Sequence, residues 1–404
     1  VSNFIIGASS GVAAGFGVVV GQLFGAGEER KMRKAIANLI YASVIFLIVV
    51  TSLSVVYVRD ILILMRTPED ILGEATEYLR VLLYGMCFTM FYNILASVLR
   101  AVGDSRTPLA ALLLSTVLNI GLDVLFVVVL PFGVAGAAAA TVLAQLISAL
   151  VCLFYVIVKM PFLRLKKDEW SPDGRLFLRL LRVGFPMGLY PTVNALGGIL
   201  LQVAINGHGT DIVASVTAGR TVQTVFYLFF DAVAVTMSNF CAQNAGARKT
   251  DRIRTGIRDG LVINLILAVF STAMLWFFGE PMAMIFAEDG AALSAAGYYL
   301  RIQAVFMIPL GTLYIFRFAA QGLGLTFSAV IDAGVEMAVR VVVALFFSQD
   351  LFLVFAACPL GWIPANVFLI IVLLVDLRRR EKRWGTGDEQ KEAESAGEEK
   401  KTAL

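Results

Sequence analysis

Histidine, charge and nucleotide-binding motifs are scarce or missing in this chain of 404 residues. His208 is the only histidine, which argues against a histidine-based metal site or a catalytic dyad. Charged residues make up 16% of the chain and hydrophobic residues 59%, a balance that soluble proteins of this length rarely show. There is no P-loop pattern, so ATP bound to this chain is not the expected energy source.

The cysteines and one hydrolase-like motif also give no support for an enzyme. All four cysteines lie in apolar runs and are interpreted as small core residues, not as a disulfide framework: Cys87, Cys152, Cys241 and Cys358. The stretch Gly7-Ala8-Ser9-Ser10-Gly11 fits G-x-S-x-G, but it lies in an apolar run and not at a strand-to-helix elbow. We therefore predict that the protein is not an enzyme and has no cofactor.

Apolar runs recur along the whole chain. A helix needs roughly 20 apolar residues to cross a bilayer, and eleven runs reach that length. We predict an all-α integral membrane protein. The first run starts without a charged region before it, which is not typical of a signal peptide. The predicted spans are 2–24, 35–58, 75–99, 108–130, 134–158, 183–206, 212–242, 256–278, 293–322, 325–347 and 352–376.

Lysine and arginine are concentrated in alternate loops. The basic stretches are 25–34, 100–107, 159–182, 246–255 and the start of the tail. The opposite loops have few bases, and one of them is acidic: they contain Arg59, Arg66, Glu280, Glu288 and Asp289. Because basic loops stay in the cytoplasm, the C-terminus is predicted to be cytoplasmic. The polar tail of mixed charge, 377–404, is predicted to be disordered.

An internal repeat has a constant offset of 221 residues (243 − 22). It aligns the stretch 21–26 with 242–247, and Tyr78-Leu79-Arg80 with Tyr299-Leu300-Arg301. An even number of spans lies between the copies, so the halves run in the same direction. Parallel repeats are one pattern of secondary transporters.

The repeat also divides the chain. The partner of span 183–206 would lie before Val1, so we expect a first helix ahead of the supplied sequence and an architecture of six plus six helices. The predicted parts are an N-lobe with five of its six helices (1–158), a cytoplasmic linker (159–182), a six-helix C-lobe (183–376) and the tail (377–404).

One carboxylate stands out inside a predicted span. Asp123 and Asn119 lie four residues apart, and so on one helix face, in the run 108–130. A carboxylate facing lipid costs several kcal/mol, so Asp123 must face protein or a wet cavity. A structural hydrogen bond to a neighbouring helix would satisfy it, but an ionisable residue at this depth is a functional-site hypothesis by default.

The chain resembles the bacterial multidrug and toxic compound extrusion (MATE) transporters. The resemblance covers nearly the whole chain except the tail, and it rests on five motifs. The motifs are Gln22…Gly25-Ala26-Gly27, Leu99-Arg100-Ala101-Val102-Gly103-Asp104 with Pro108, Asn119-x-x-x-Asp123 before Pro131-x-Gly133-x-x-Gly136-Ala137, Gly184-Phe185-Pro186, and Gln243…Gly246.

The resemblance implies a twelve-helix, two-lobed antiporter in the bacterial cytoplasmic membrane. Such a protein exports organic, often cationic, compounds in exchange for Na⁺ or H⁺. In one branch of the family the cation site is in the first lobe, which here corresponds to Asn119, Asp123 and Thr141. Other branches use an acid in the second lobe, where this chain has Asn194.

The spacing of the residues supports the first-lobe site independently. Asp123 precedes Leu130 by seven residues, and Thr141 follows Val134 by seven. At about 1.5 Å per residue, both lie roughly 10 Å below one surface. Gln145 matches the depth of Asn119 in the same way. These oxygens could bind Na⁺, since hard cations prefer oxygen ligands, and a proton on the carboxylate would serve instead. A merely structural polar cluster is the other interpretation.

Other polar residues in the spans are weaker candidates. Asn93, Gln145, Asn194 and Asp231 could line a substrate cavity, and Asp231 could equally be hydrogen-bonded core. Asp332, Glu336 and Arg340 share one helix face, where a structural pair joined by Arg317 is the favoured interpretation. We expect a monomer that binds small molecules and membrane lipid but no nucleic acid. The alternative functions are a lipid-linked oligosaccharide flippase and a non-transporting receptor or scaffold.

Overall fold

The computed structural model describes residues 2–64, 68–286 and 290–402, with side chains described for 7–63, 68–286 and 290–384. Within these ranges the chain is helical and contains no strand. Arg66, Glu288 and Asp289, which contributed to the predicted orientation, lie outside the described residues. The predicted all-α fold is confirmed.

Twelve α-helices make up most of this part of the chain. A π-helix, Val124–Val129, follows α4, and two short 3₁₀ helices, Pro161–Leu163 and Lys167–Trp170, lie between α5 and α6. The α-helices are α1 Ser2–Gly25, α2 Glu29–Leu64, α3 Glu69–Ala101, α4 Arg106–Asp123, α5 Gly133–Lys159, α6 Gly174–Asn206, α7 Thr210–Gly246, α8 Thr250–Ala283, α9 Ala291–Val305, α10 Met307–Gly322, α11 Thr326–Phe346 and α12 Leu351–Thr402.

Each predicted span is found as a helix, but span 293–322 is broken. Helices α9 and α10 meet at Phe306 with a bend of 53°. Pro309 explains the break, because proline has no N–H and its ring crowds the carbonyl of Val305, four residues earlier. Proline is tolerated in the first turn of a helix, and Pro309 lies in the first turn of α10.

The described helices are suited to a lipid environment. Nine are long and apolar enough to cross a membrane, and the bent α9–α10 pair makes a tenth candidate. Their outward side chains are apolar and strongly exposed, such as Val128 at 72%, Phe277 at 72% and Ile199 at 62%. Helix α11 carries three charged residues, whose burial and pairing are described below.

The chain divides into two compact units, Val1–Thr192 and Val193–Leu404. The division falls inside α6, not at the predicted linker 159–182. Glycines explain this difference, because the first half of α6 packs directly on α1. A Cβ at Gly184 would lie 2.5 Å from the Phe16 ring, and one at Gly188 would lie 2.5 Å from the Val12 side chain.

The internal repeat is visible in the hydrogen bonds of the turns. After α3, Gly103 has φ 96° and Asp104 N–H donates to the Leu99 carbonyl at 2.9 Å. After α10, at the same offset of 221, Gly324 has φ 85° and Leu325 N–H donates to the Ala320 carbonyl at 2.9 Å. Glycine adopts this left-handed conformation without a steric penalty. The two units therefore repeat the same local structure.

The predicted linker is tightly bound to the start of α2. Arg33 Nε donates to Glu169 Oε1 at 2.8 Å, and both side chains are buried. Tyr41 donates to the Trp170 carbonyl at 2.8 Å, and Asp173 N–H donates to Asn38 Oδ1 at 2.9 Å. The linker also ends early, since α6 already begins at Gly174.

The predicted disordered tail is helical at its start, which corrects the prediction for residues 377–384. Helix α12 continues through them, and Arg380 donates to the Leu323 carbonyl at 2.8 Å. Glu381 pairs with Arg254 at 2.6 Å. These contacts hold the segment against its own unit, which the mixed charge of the tail did not reveal. The backbone of α12 continues as helix to Thr402, and the side chains after Trp384 lie outside the described residues.

Candidate functional site

Helix α4 carries Asn119 and Asp123 on one face, and both side chains are half-buried. The helix begins where Asp104 Oδ1 accepts hydrogen bonds from the N–H groups of Arg106 and Thr107, each at 3.0 Å. Directly after Asp123 the chain changes from α- to π-helix. Short π segments occur frequently at functional sites. The predicted carboxylate thus lies at a break in regular helix geometry.

Helix α5 supplies the opposite wall. Asn119 Nδ2 donates to Thr141 Oγ1 at 3.5 Å, and the Thr141 hydroxyl donates to the Ala137 carbonyl at 3.1 Å. The structure therefore brings together two of the three residues predicted for the cation site. Gln145 lies one turn further along the same face of α5.

The register of α4 and α5 differs from the depth estimate by one turn. Asn119, and not Asp123, lies opposite Thr141. The estimate assumed α-helix up to Leu130, but Val124–Val129 forms a π-helix with more residues per turn. The count of 1.5 Å per residue therefore does not hold after Asp123. The side chains still share one interhelical seam, because a turn is only 5.4 Å.

Two buried oxygens on this seam have unused acceptor capacity. Asp123 Oδ1 and Gln145 Oε1 accept no hydrogen bond from any residue that the structure describes. An unsatisfied buried acceptor costs roughly 1–3 kcal/mol, and more when it is charged. Both acceptors are oxygens, and among Asn119, Asp123, Thr141 and Gln145 only Asp123 is ionisable. The seam can therefore be stabilised by one monovalent cation or one proton.

The spacing along the sequence did not place Gln145 in the ion site. It was predicted as a cavity residue and matched to Asn119 in depth. In the structure its Oε1, like Asp123 Oδ1, accepts no hydrogen bond from the described residues. The available signal was its position four residues after Thr141, on the same helix face. We call Asn119, Asp123, Thr141 and Gln145 the α4–α5 seam.

The remaining cavity candidates lie in different places. Asn93 is half-buried on α3 in the first unit, and Asp231 is exposed on α7 in the second unit. Asn194 lies on α6 in the second unit. Its carbonyl and its Oδ1 accept hydrogen bonds from Arg340 at 3.0 and 2.9 Å. The Asn194 side chain is thus bound within a charged cluster.

That charged cluster is the most polar part of the second unit. Arg317 donates from Nε to Asp332 Oδ2 at 2.5 Å, and it also pairs with Glu336. Glu336 Oε2 in turn accepts from Arg340 at 3.0 Å. The predicted structural pair and its link to Arg317 are confirmed. All four side chains are buried, and their formal charges cancel.

The repeat shows that the two units differ at the candidate site. An offset of 221 places Arg340 at the position of Asn119 and Ala344 at that of Asp123. Ala344 cannot bind a cation, so the carboxylate of the α4–α5 seam has no repeat equivalent. The charged residues of α11 occupy the corresponding face, one to three turns earlier.

The architecture and the seam together define a class of protein. A bundle of membrane-spanning helices built from two parallel repeats, with a carboxylate inside one of them, is a pattern of secondary transporters. The family model MatE matches residues 1–125 and 186–346. The chain belongs to this family, the multidrug and toxic compound extrusion transporters, which are not enzymes.

The relatives are bacterial. The probable multidrug resistance protein YoeA of Bacillus subtilis (strain 168) is 28% identical over 307 residues, 74% of this chain and 66% of that protein. The probable multidrug resistance protein YpnP of the same strain is 28% identical over 288 residues, 69% of this chain and 64% of that protein. The chain thus spans slightly less than two thirds of the length of these curated relatives.

Solved structures agree on the fold. A crystal structure of MATE in the bent conformation matches with a TM-score of 0.87 at 21% identity, over 94% of this chain and 86% of that chain. At this identity the likeness shows the fold and not the substrate.

Proposed function

We propose that the protein is an antiporter that exports organic, often cationic, drugs or toxic metabolites in exchange for Na⁺ or H⁺. The observation that carries the proposal is the unsatisfied, buried Asp123 Oδ1 inside a helix of a MATE transporter. The names of the relatives, which refer to multidrug resistance, support the substrate class.

The coupling step is neutralisation of Asp123. An ion that binds the carboxylate removes a buried charge from the α4–α5 seam and so changes the preferred packing of the two helices. The hydrogen bond from Asn119 to Thr141 joins these helices at 3.5 Å, close to the limit for such a bond. A contact this long is readily exchanged for a better one. The change from α- to π-helix after Asp123 gives α4 a second hydrogen-bond pattern to use during such a shift.

Na⁺ and H⁺ place different demands on the seam. A proton needs only the carboxylate, whereas a hard cation needs several oxygen ligands. Asn119 Oδ1 and Thr141 Oγ1 are the candidate additional ligands, because these two side chains contact each other one helical turn from Asp123. We expect Thr141→Val, which removes one oxygen ligand, to weaken Na⁺-driven export at least tenfold and to leave H⁺-driven export nearly unchanged. The variant therefore distinguishes the two ions.

The charge distribution supports a proposal for the orientation in the membrane. We propose a bacterial cytoplasmic membrane location, with the basic loops and the C-terminus inside. We also propose that the protein works as a monomer on small molecules, surrounded by lipid and without nucleic acid.

Efflux of a fluorescent organic cation from cells expressing the protein tests the proposal. Wild type is compared with Asp123→Asn while external sodium and pH are varied separately. Thr116→Val is the matched control, because Thr116 is exposed on α4 and its hydroxyl bonds only its own helix, at the Leu112 carbonyl. Asp231→Asn tests the competing carboxylate.

The expected result is loss of efflux in Asp123→Asn alone, with wild-type efflux that depends on one of the two ions. Undiminished efflux in Asp123→Asn would contradict the proposed coupling site. If efflux were lost only in Asp231→Asn, the coupling carboxylate would lie on α7. If wild type moved no organic cation, drug export would be wrong and the flippase alternative would be favoured.

A further inference from the structure

A groove runs between α2 and the segment that leads into α6. It has a volume of about 600 Å³, within the roughly 300–1,000 Å³ typical of ligand sites. Apolar parts of Tyr41, Val44, Ile45 and Phe177 form much of its wall. Val44 and Ile45 are 47% and 53% exposed, so the groove is open along its side.

Aromatic residues at one end of the groove are of the kind that is typical of a membrane surface. Tyr41 and Trp170 make an edge-to-face contact with ring centroids 6.3 Å apart, and Trp170 is 41% exposed. Tyrosine and tryptophan are enriched at the level of the lipid headgroups. Further along α2, apolar side chains such as Ile48, 61% exposed, continue away from this end. An acyl chain entering at the headgroup level would therefore meet an apolar wall.

Most basic residues at the start of α2 are already neutralised by acids. Their pairs are Arg30 with Asp168, Lys31 with Glu28, and Arg33 with Glu29 and Glu169. Lys34 and Arg175 differ, because neither side chain pairs with a carboxylate in the described part of the chain. The acid nearest to Arg175 in the sequence, Asp173, accepts hydrogen bonds from the N–H groups of Arg175 and Leu176.

Lys34 and Arg175 lie next to the residues that line one end of the groove. Lys34 lies one turn before Asn38 on one face of α2, and Arg175 lies two residues after Asp173. The hydrogen bond from Asp173 N–H to Asn38 Oδ1, 2.9 Å, joins the two sides. Asn38 and Asp173 both line the groove. A single phosphate at this end can thus be reached by two long side chains.

We propose that the groove binds an anionic phospholipid, with its phosphate between Lys34 and Arg175 and one acyl chain along Tyr41, Ile45 and Phe177. Charge selects the lipid, since a zwitterionic headgroup would leave the two cations uncompensated. Basic pockets between membrane helices bind anionic headgroups in this way. The lipid would also lie against the end of the linker, at Pro172 and Asp173. The inference goes beyond transport and requires only that the helices lie in a bilayer.

Lipid titrations of the purified protein test this site. Thermal unfolding and native mass spectrometry are recorded in neutral detergent with phosphatidylglycerol, with phosphatidylcholine and with water-soluble glycerol phosphate. The variants are Lys34→Gln, Arg175→Gln and the double variant. The matched control is the double variant Lys159→Gln/Lys167→Gln, which removes the same charge from exposed side chains outside the groove.

Phosphatidylglycerol should stabilise wild type and the control pair and remain bound to both. Its affinity for the Lys34/Arg175 double variant should fall about 30-fold, since each base near a lipid surface contributes about 1 kcal/mol and 1.4 kcal/mol is tenfold. Each single variant should lose about fivefold. An equal loss in the control pair would mean unspecific surface attraction. If phosphatidylcholine stabilised the protein as much as phosphatidylglycerol does, the headgroup charge would not be the basis of binding. If glycerol phosphate did so, the acyl chain would not be. Unchanged binding in the double variant would also overturn the proposal.

Discussion

Replacing Glu169 by alanine should release the linker from α2. The carboxylate is only 1% exposed and accepts hydrogen bonds from Arg33 Nε at 2.8 and 2.9 Å. It also accepts from Lys166 N–H at 2.9 Å. The substitution leaves the Arg33 guanidinium, itself 10% exposed, without its main counter-charge.

The magnitude follows from the burial of the pair. Removing one partner of a buried ion pair costs about 3–5 kcal/mol, because the other charge remains uncompensated. Arg33 keeps its contacts with the Phe162 carbonyl and with Glu29, so we expect the lower end of that range. About 3 kcal/mol corresponds to a rise of at least 100-fold in the equilibrium constant for local opening of the linker.

The pH dependence has a defined sign. Burial raises the pKa of Glu169, but the hydrogen bonds from Lys166 N–H and Arg33 and the positive charge of Arg33 outweigh it, so the pKa is lowered overall. The pair therefore stabilises the linker fully above the ordinary glutamate pKa of about 4.3. This stabilisation is lost as the pH falls through the lower folded-state pKa. Linker protection should be constant from neutral pH down to about pH 5.

Hydrogen exchange of peptides from 159–176 measures the effect, after correction for the intrinsic pH dependence of exchange. Asp168→Asn is the matched control, because the Arg30–Asp168 pair has side chains 71% and 58% exposed. Exposed pairs contribute about 0–1 kcal/mol. Glu169→Ala should accelerate exchange at least 100-fold and Asp168→Asn by less than about tenfold. Equal acceleration in the two variants would refute the role of the buried pair.

Two further predictions concern packing and charge. Gly85→Ala should destabilise the protein by about 1–3 kcal/mol, because the new Cβ would lie 2.0 Å from the Val142 side chain. Gly73→Ala on the same helix is the control: its Cβ meets nothing within 4 Å and should stabilise the protein by about 0.5–1 kcal/mol. Thermal unfolding compares the two variants, and equal shifts in melting temperature would disprove the close contact at Gly85. Glu336→Ala should lower the free energy of unfolding by about 3–5 kcal/mol, since it leaves the buried Arg317 and Arg340 without one of their counter-charges. A change under 1 kcal/mol in chemical unfolding would show that water enters the cluster. The control is Glu280→Ala, because the Glu280–Arg301 pair is partly exposed.

Much of the fold could be predicted because its signals are strong and local. The long apolar runs predicted the helices, and the constant offset predicted matching turns at Gly103 and Gly324. Pro309 is the local sequence signal for the break at Phe306, because proline disfavours an uninterrupted helix. The helical start of the tail depends on contacts of Arg380 and Glu381 with distant residues, which composition does not report.

The candidate site was predicted in part. Asn119 and Thr141 do meet, because their helices are antiparallel neighbours joined by a short turn. The register differs from the expected depth by one turn, and the π-helix after Asp123, which no local pattern in this valine-rich segment indicated, accounts for part of that difference. The seam's unused acceptor on Gln145 and the engagement of Asn194 by Arg340 depend on side-chain positions. These are set by packing and cannot be read from spacing alone.

Transport by the purified protein in liposomes tests the role of Asp123 most directly. A sodium gradient or a pH gradient is imposed separately, and uptake of an organic cation is followed for wild type, Asp123→Asn and Thr116→Val. Folding of each variant is checked by thermal unfolding. Asparagine is close in shape, and the Asp123 Oδ1 it replaces accepts no hydrogen bond from the described residues, so stability should change little. We expect one gradient to drive uptake in wild type and in Thr116→Val but not in a folded Asp123→Asn. Gradient-driven uptake by Asp123→Asn at the wild-type rate would contradict the coupling role of this carboxylate.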